Sequence, residues 1–296
     1  MHYVIGDVHS CLDELNTLLE KIEEKDPEAE FIFVGDFVDR GPRYLDTIHW
    51  CKEHIRPGGK YRTVIGNHED LLLQWFPGFQ DWWENQGRKD DLRRGIPRTQ
   101  YNFSRMIQEE KKADLPFVKS VMNLIREWPS EISVTVPGKK RNITYRIAHA
   151  WPAAQSSDEE EKRNCNIWNR EDEYVGNFAN DDIYIHGHTP TISDYDNGRL
   201  VPGMIGYRRH SINVDGGCVF SYNPEFGKRY VCMLCAICLE TLEEIYPWSL
   251  LERISMLHPG ESASRIEKIY GETRKKRKEY LCNPYRREML KMLGVE

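Results

Sequence analysis

Residue types that can bind metal ions recur directly after apolar runs near the N-terminus of this chain. Three clusters share one pattern, in which a run of β-branched or aromatic residues precedes a glycine and then an Asp or Asn. Such runs are typical of buried strands, and glycine suits the tight turn that follows. The clusters are Gly6-Asp7-Val8-His9, Gly35-Asp36-Phe37-Val38-Asp39-Arg40-Gly41 and Gly66-Asn67-His68-Glu69.

The elements that must position these clusters alternate between strand and helix. Each cluster is followed by a segment with helical character, such as the amphipathic stretch from Cys11 to Glu24. In a parallel sheet the loops at the carboxyl ends of the strands lie side by side. We therefore predict that the three clusters meet, and the spacing alone favours a single doubly wound sheet. His149 and His188 also end apolar runs and are expected at the same place.

The combined side chains suit a pair of divalent metal ions. Carboxylates, an amide oxygen and imidazoles favour Mn, Fe, Zn or Ni over calcium, which imidazole binds poorly. Two metals that share a bridging carboxylate commonly hydrolyse phosphate esters, because a metal-bound water loses its proton readily. The candidate ligands are Asp7, His9, Asp36, Asn67, His149 and His188.

Hydrolysis of a phosphoester also needs cations for the phosphoryl oxygens and a proton for the leaving group. Arg40 and Arg170 are candidates for the first task, since a guanidinium can bind two phosphate oxygens. His68 is the candidate general acid. Asp39 could hold its imidazole protonated and oriented, as carboxylates do for catalytic histidines.

The clusters resemble the three signature motifs of the phosphoprotein phosphatase family, within the calcineurin-like metallophosphoesterase superfamily. His149-Ala150 and Gly187-His188-Thr189 are similar to its later histidine motifs, and Trp168-Asn169-Arg170 to its second phosphate-arginine motif. The resemblance covers residues 1–75 and 143–220. It implies an α/β (α+β) four-layer metallophosphoesterase fold, with a central β-sandwich flanked by helices.

The resemblance also implies a role for each candidate residue. Asp36 would bridge two metals, of which manganese is the expected kind and Fe, Zn or Ni are alternatives. The first metal would also bind Asp7 and His9, and the second Asn67, His149 and His188. The acid dyad would be His68 with Asp39, and the phosphate would contact Arg40, Arg170 and Asn67.

Three functions remain open on these residues. A serine/threonine (or tyrosine) protein phosphatase is the main prediction, with a phosphorylated protein or small phosphoester as the partner. A symmetrical dinucleoside tetraphosphate hydrolase is the alternative, and a pocket lined by Arg93, Arg94 or Arg98 would favour it. A non-catalytic binding protein on the same fold is the third possibility. Ser10, Trp151 and Asn85-Gln86-Gly87 depart from the family pattern and bear on specificity.

The remaining sequence predicts one metallophosphoesterase domain over residues 1–296 with two additions. Residues 75–130 are polar and rich in aromatic residues, which indicates an inserted helical cap. Residues 250–296 indicate a C-terminal helical extension. Residues 155–163 are acidic, and we predict a loop there.

Bulk composition narrows the class of protein. The net charge is −6, so nucleic acid is not an expected partner, and the basic run 274–278 is read as a solvated helix face. No apolar run reaches the ~18 residues that span a membrane, and Met1-His2 leads directly into a strand. A cytoplasmic location with free thiols, rather than disulfides, is therefore expected. Cys232, Cys235 and Cys238 are expected to be buried core thiols.

Overall fold

The computed structural model describes residues 1–84, 115–151, 157–170, 182–194, 203–223, 226 and 230–295. Within these ranges the chain forms ten β-strands and eight α-helices, and the strands build two five-stranded sheets. None of the described helices is both long and apolar enough to cross a membrane. All eight cysteines are free thiols, as the sequence predicts.

The first sheet carries the three N-terminal clusters at one edge. Strands β1 (His2–Ile5), β2 (Glu30–Phe33) and β3 (Tyr61–Thr63) are parallel. Strands β9 (Ala236–Cys238) and β10 (Glu244–Ile245) extend the sheet antiparallel, in the order β10-β9-β1-β2-β3. Because β1, β2 and β3 point the same way, the loops that follow them are neighbours.

The second sheet carries the later histidines. It contains β4 (Glu131–Val136), β5 (Ile143–Ala148), β6 (Ile183–His186), β7 (Gly206–Arg208) and β8 (Ser211–Asn213). The order is β4-β5-β6-β8-β7, with β5, β6 and β8 parallel and the two edge strands antiparallel. The parallel strands therefore deliver the loops after β5 and β6 to one end of this sheet.

The two sheets pack face to face. Val4 and Ile32 of the first sheet lie in one apolar cluster with Tyr145, Ile185 and Ile212 of the second. Alternate residues of the first sheet, including Tyr3 and Phe33, face a separate helical layer. The β-sandwich implied by the family resemblance is confirmed. The single doubly wound sheet is wrong, because one face of the first sheet is covered by another sheet and not by helices.

Helices cover the other face of the first sheet. They are α1 (Leu12–Lys25), α2 (Tyr44–His54), α3 (Asn67–Glu84) and α4 (Leu115–Arg126). Each has apolar residues at helical spacing, and those of α1 and α4 are buried in the cluster that contains Phe33. Helices α3 and α4 are the described ends of the segment 75–130, and residues 85–114 lie outside the described part of the chain.

The predicted loop over 155–163 is wrong from Glu159 onward, where helix α5 (Glu159–Trp168) begins, and residues 155 and 156 lie outside the described part of the chain. The Asp158 side chain accepts hydrogen bonds from the backbone N–H groups of Glu160 and Glu161, at 2.8 and 3.1 Å. Acidic residues in a first turn also favour the helix dipole. The acidic composition therefore belongs to a helix N-terminus.

Three helices form the C-terminal part of the chain. They are α6 (Leu250–Leu257), α7 (Ala263–Leu281) and α8 (Pro284–Leu293). Leu250, Tyr280 and Leu293 are buried in the same apolar cluster as Tyr207 of β7. The buried ion pair between Arg253 and Glu14, at 2.7 Å, joins α6 to α1.

Candidate metal centre

Strained backbone concentrates in the loops that follow the strands. His9, Asp36, Asp39, Arg40 and His188 all have positive φ, between 44° and 71°. A non-glycine residue in such a conformation costs on the order of 1–3 kcal/mol and persists only where the surroundings enforce it. Here the first two loops hold each other, because the N–H of His9 donates to the carbonyl of Asp36 at 2.7 Å.

Glycines let the ligand carboxylates approach the backbone. A Cβ added at Gly66 would lie 2.2 Å from Asp36 Oδ1, and one at Gly187 would lie 1.9 Å from Asp7 Oδ1. Both distances are far below van der Waals contact. Gly66 and Gly187 are thus needed to seat a carboxylate from a different loop, whereas a Cβ at Gly6 or Gly35 would meet backbone atoms of a neighbouring segment.

Three lone-pair atoms converge on one point. Asn67 Oδ1, His149 Nε2 and His188 Nδ1 lie 2.9–3.1 Å from one another. The Nδ1 of His149 donates to the Val34 carbonyl at 2.8 Å, so its Nε2 is left as an acceptor. Acceptor atoms this close repel each other unless a cation or proton lies among them, so this donor set fits a divalent metal.

Asp36 lies between this group and a second one. Its Oδ1 is 3.5 Å from His149 Nε2, and its Oδ2 is 3.4 Å from His9 Nε2. The ligand atoms of Asp7, Asp36 and His149 all lie within 4.8 Å of one another. His9 Nδ1 is 3.0 Å from the Val38 carbonyl, which turns Nε2 toward Asp36. One oxygen of Asp36 thus faces each group, as expected of a carboxylate that bridges two metals.

The electrostatics of the centre also fit cations. Burial raises the pKa of Asp7 well above its ordinary value, and the carboxylates of Asp215 and Asp36 add to the effect. Burial lowers the pKa of His9 and of His188 to about 3, which keeps both imidazoles neutral and able to ligate. Burial makes the charged form of Asp7 costly, and a bound dication would stabilise that form beside neutral imidazoles that can ligate.

The two residues of the predicted acid dyad are in contact. His68 Nδ1 lies 2.7 Å from Asp39 Oδ2, and both side chains are buried. Burial opposes protonation of His68, but the carboxylates of Asp36 and Asp39 outweigh it and raise the pKa of the imidazole. The guanidinium of Arg40 lies between the two rings, 2.9 Å from His68 Nε2 and 3.0 Å from His9 Nε2.

Arg170 lies beside the centre, two residues after the end of helix α5. Its guanidinium donates to Thr189 Oγ1 at 3.3 Å, next to His188, and its charge helps to lower the pKa of that histidine. Burial is the largest cause of that lowering. All ten residues that the sequence predicted for the site therefore lie within one connected network of contacts.

The two acidic residues that follow His68, Glu69 and Asp70, also shape the site, and the sequence analysis did not single them out. Glu69 is fully buried and accepts the backbone N–H groups of Asp36, Val38 and Gly66, at 2.9, 3.1 and 3.1 Å. The Glu69 carboxylate therefore holds the loop that contains Asp36. Two of the three donors, Asp36 and Val38, come from residues 33 and 31 positions away in the chain, so no local pattern could have revealed them.

Asp70 ties helix α5 to helix α3. It accepts hydrogen bonds from Arg163 at 2.9 Å and from the Trp168 indole at 3.2 Å. Asp70 is one helical turn from Asn67, and Trp168 is two residues before Arg170. This contact therefore sets where Arg170 stands relative to the candidate metal ligands.

Comparison with known proteins agrees with this geometry. The family model described as calcineurin-like phosphoesterase matches residues 3–192. A symmetrical bis(5'-nucleosyl)-tetraphosphatase of Janthinobacterium sp. (strain Marseille) is 45% identical over 71 residues, which are 24% of this chain and 25% of that protein. The match thus spans about a quarter of the relative's length.

A longer match and a solved structure extend the comparison. The asymmetrical bis(5'-nucleosyl)-tetraphosphatase PrpE of Oceanobacillus iheyensis is 26% identical over 239 residues, covering 73% of this chain and 84% of that protein. The solved metallophosphoesterase of Sphaerobacter thermophilus is 15% identical, with a TM-score of 0.44, and the alignment covers 99% of this chain and 98% of that one. The family match extends over most of the chain and includes all six candidate metal ligands. The chain belongs to the calcineurin-like phosphoesterase family.

Proposed function

We propose that this protein is a phosphoester hydrolase that uses two divalent metal ions, with manganese the expected kind. The observation that carries the proposal is the approach of Asn67 Oδ1, His149 Nε2 and His188 Nδ1 to within 3.1 Å of one another beside Asp36. Asp7 and His9 would complete the other metal site. When bound, such metals lower the pKa of a coordinated water and offset charge on the phosphoryl oxygens.

The arginines would bind and orient the phosphate. Arg40 projects into the centre and donates to His9 Nε2 and His68 Nε2. The first of these atoms would otherwise bind a metal, and the second would donate a proton to the leaving group. A phosphoryl group offers the guanidinium a charged, bidentate acceptor, which is a stronger partner than neutral imidazole. Arg170, held next to His188 through Thr189, would approach the same phosphate from the α5 side, and the Asn67 amide would contact it.

His68 would donate the proton that the leaving oxygen requires. Asp39 accepts from its Nδ1 and favours the protonated ring, so Nε2 can carry the transferable proton once Arg40 has turned to the phosphate. A positioned acid of this kind accelerates the reaction by roughly 10²–10⁴. The dyad therefore supports hydrolysis with expulsion of an alkoxide-type leaving group, as in phosphomonoesters.

The substrate class is the second part of the proposal. A phosphorylated serine, threonine or tyrosine of a protein is the first candidate. A dinucleoside tetraphosphate is the second, and the names of the two bis(5'-nucleosyl)-tetraphosphatase relatives favour it. Arg93, Arg94 and Arg98, which would line a nucleotide pocket, lie outside the described residues.

One set of assays separates these candidates. The protein is stripped with chelator and then reloaded with Mn²⁺, Zn²⁺, Fe²⁺ or Ni²⁺. Phosphate release is measured from phosphoserine and phosphotyrosine peptides, and the nucleotides formed from diadenosine tetraphosphate are resolved by chromatography. We expect metal-dependent turnover that Asp36→Asn abolishes together with metal binding.

The outcomes distinguish the functions. Faster turnover of the peptides supports a protein phosphatase. Faster turnover of the dinucleotide supports the second candidate, and its products report whether cleavage is symmetrical. A protein that binds two metals per chain yet hydrolyses none of these substrates would contradict the proposed hydrolase and support a binding protein on the same fold.

A further inference from the structure

Positive charge is segregated toward the C-terminal helices of this otherwise acidic chain. The net charge of the whole protein is −6, yet ten Lys and Arg stand against four Glu between residues 263 and 295. On α7 the side chains of Arg274, Lys275, Lys276 and Lys278 are exposed. The apolar side chains of this helix, including Ile266 and Tyr280, pack on the second sheet, which leaves the basic side chains outward.

The fold adds two basic turns to these helices. Lys139-Lys140-Arg141 lies in the turn between β4 and β5, and Arg209-His210 in the turn between β7 and β8. Strands β5 and β8 are parallel, and β5 delivers His149 at its carboxyl end, so both turns lie at the opposite end of the sheet. At ~3.3 Å per residue, the six residues of β5 place its turn about 20 Å from the metal centre.

Helix α8 joins the two turns. The backbone N–H of Lys139 donates to the Met292 carbonyl at 2.8 Å, near the end of α8. At its beginning, the Asn283 side chain donates to the Tyr207 carbonyl at 3.1 Å. A helix of ten residues is about 15 Å long, so the turns stand about that far apart.

Exposed cations line the path between the turns. Arg287 and Lys291 are exposed on α8 one helical turn apart, with the exposed Glu288 between them in sequence. We call the following residues the distal basic surface: Lys139, Lys140, Arg141, Arg209, Arg287 and Lys291. Within the described part of the chain, no ion pair joins Lys140, Arg209, Arg287 or Lys291 to a carboxylate. These charges are therefore available to a partner.

We propose that the distal basic surface binds the phosphate backbone of single-stranded nucleic acid. Arginine matches phosphate oxygens in bidentate geometry, and this surface holds three arginines along a path of about 15 Å. Tyr285, which is 39% exposed on the same helix, can stack on a base, as aromatic residues do in single-strand binding sites. Anionic lipid headgroups would attract the same cations, but an exposed aromatic ring among them favours a nucleic-acid strand with stackable bases, and the test includes vesicles as a competing outcome.

The location makes this binding independent of the proposed hydrolase activity. The surface lies at the end of the sandwich away from the metal ligands, and none of its residues contacts them. A bound strand would therefore tether the enzyme without entering the centre. Loss of nucleic-acid binding and loss of hydrolysis can then be measured separately.

The test is fluorescence anisotropy with a labelled 20-nucleotide oligouridine, at several salt concentrations. The surface variant carries Lys140→Gln, Arg209→Gln, Arg287→Gln and Lys291→Gln. The control variant has the same change of charge elsewhere: Lys25→Gln, Arg43→Gln, Arg56→Gln and Lys60→Gln. All eight positions are exposed. Thermal unfolding by circular dichroism checks that both variants fold.

We expect the surface variant to bind the oligonucleotide about tenfold more weakly or worse, and the control variant to bind within a factor of about two of the parent. The slope of log K against log salt should fall by about 3 in the surface variant, since each lost phosphate contact removes ~0.7. Hydrolysis of 4-nitrophenyl phosphate should be equal in both variants.

Several results would overturn the proposal. One is an unmodified protein that fails to bind the oligonucleotide at low salt. Others are equal weakening in the two variants, or tighter binding of polyglutamate than of oligouridine at the same salt. The protein is also mixed with vesicles that contain about 30% anionic phospholipid. Tighter binding to these vesicles than to oligouridine would assign the surface to a membrane instead.

Discussion

Replacing Gly187 with alanine tests how closely the loops of the metal centre are packed. A Cβ at this position would lie 1.9 Å from Asp7 Oδ1 and 2.9 Å from Val34 Cγ2. Ordinary contact begins near 3.4 Å, so the gap to the carboxylate must open by about 1.5 Å. Val34 leaves little room on the other side, so the displacement falls on Asp7 and on His188, the next residue.

The displacement should disable the centre. The N–H of His188 donates to the Asp7 carboxylate at 3.1 Å, so the two proposed ligands move together or lose this bond. A misplacement of ~1 Å costs on the order of 10²-fold in rate, and overpacking costs about 1–3 kcal/mol of stability. We expect kcat for 4-nitrophenyl phosphate to fall about 100-fold, with fewer than two metals retained per chain after gel filtration.

Gly271→Ala is the matched control. Gly271 lies on helix α7, and a Cβ there meets nothing within 4 Å. Alanine favours a helix over glycine by about 0.8–1 kcal/mol, so this variant should be slightly more stable, with unchanged turnover and metal content. A Gly187→Ala protein with the kcat and metal content of the parent would refute the reasoning about loop packing.

Three further variants probe other contacts. His68→Asn should keep both metals but slow turnover by roughly 10²–10⁴, measured as kcat beside metal analysis; undiminished turnover would remove His68 from the mechanism. Asp70→Asn should raise KM more than it lowers kcat, because it loosens the helix that precedes Arg170, and an unchanged KM would contradict that role. Arg253→Met should lower the free energy of unfolding by about 3–5 kcal/mol in urea titrations, because it leaves the Glu14 carboxylate buried and unpaired. Burial already raises the pKa of Glu14 despite Arg253, so the folded variant binds a proton at Glu14 more tightly than the unfolded chain does. The loss of unfolding free energy caused by Arg253→Met should therefore grow as pH rises from about 5 to 8, and a loss that does not depend on pH would count against the role of the ion pair.

The candidate site could be predicted because its signals are local. In each cluster the apolar run, the glycine and the ligand are neighbours in the chain, and parallel strands place the following loops together whatever covers the sheet. The side chains of Asp7, Asp36, Asn67 and His149 accordingly meet as their spacing predicts. The helix at Glu159 shows the limit of composition, because an acidic stretch suits a loop and a helix N-terminus equally until Asp158 is seen to cap it.

The sandwich arrangement and the supporting contacts of the site depend on long-range packing. A buried run such as Val4 and Ile5 looks the same whether a helix or a second sheet lies against it, so the sandwich could not follow from periodicity. The partners of Glu69, the link from Asp70 to Trp168 and the meeting of two basic turns beside α8 likewise join residues far apart in the chain. Neighbouring residues determine strands, turns and candidate ligands. Contacts between distant segments depend on which faces of the sheets and helices pack together, and this is visible only in the tertiary structure.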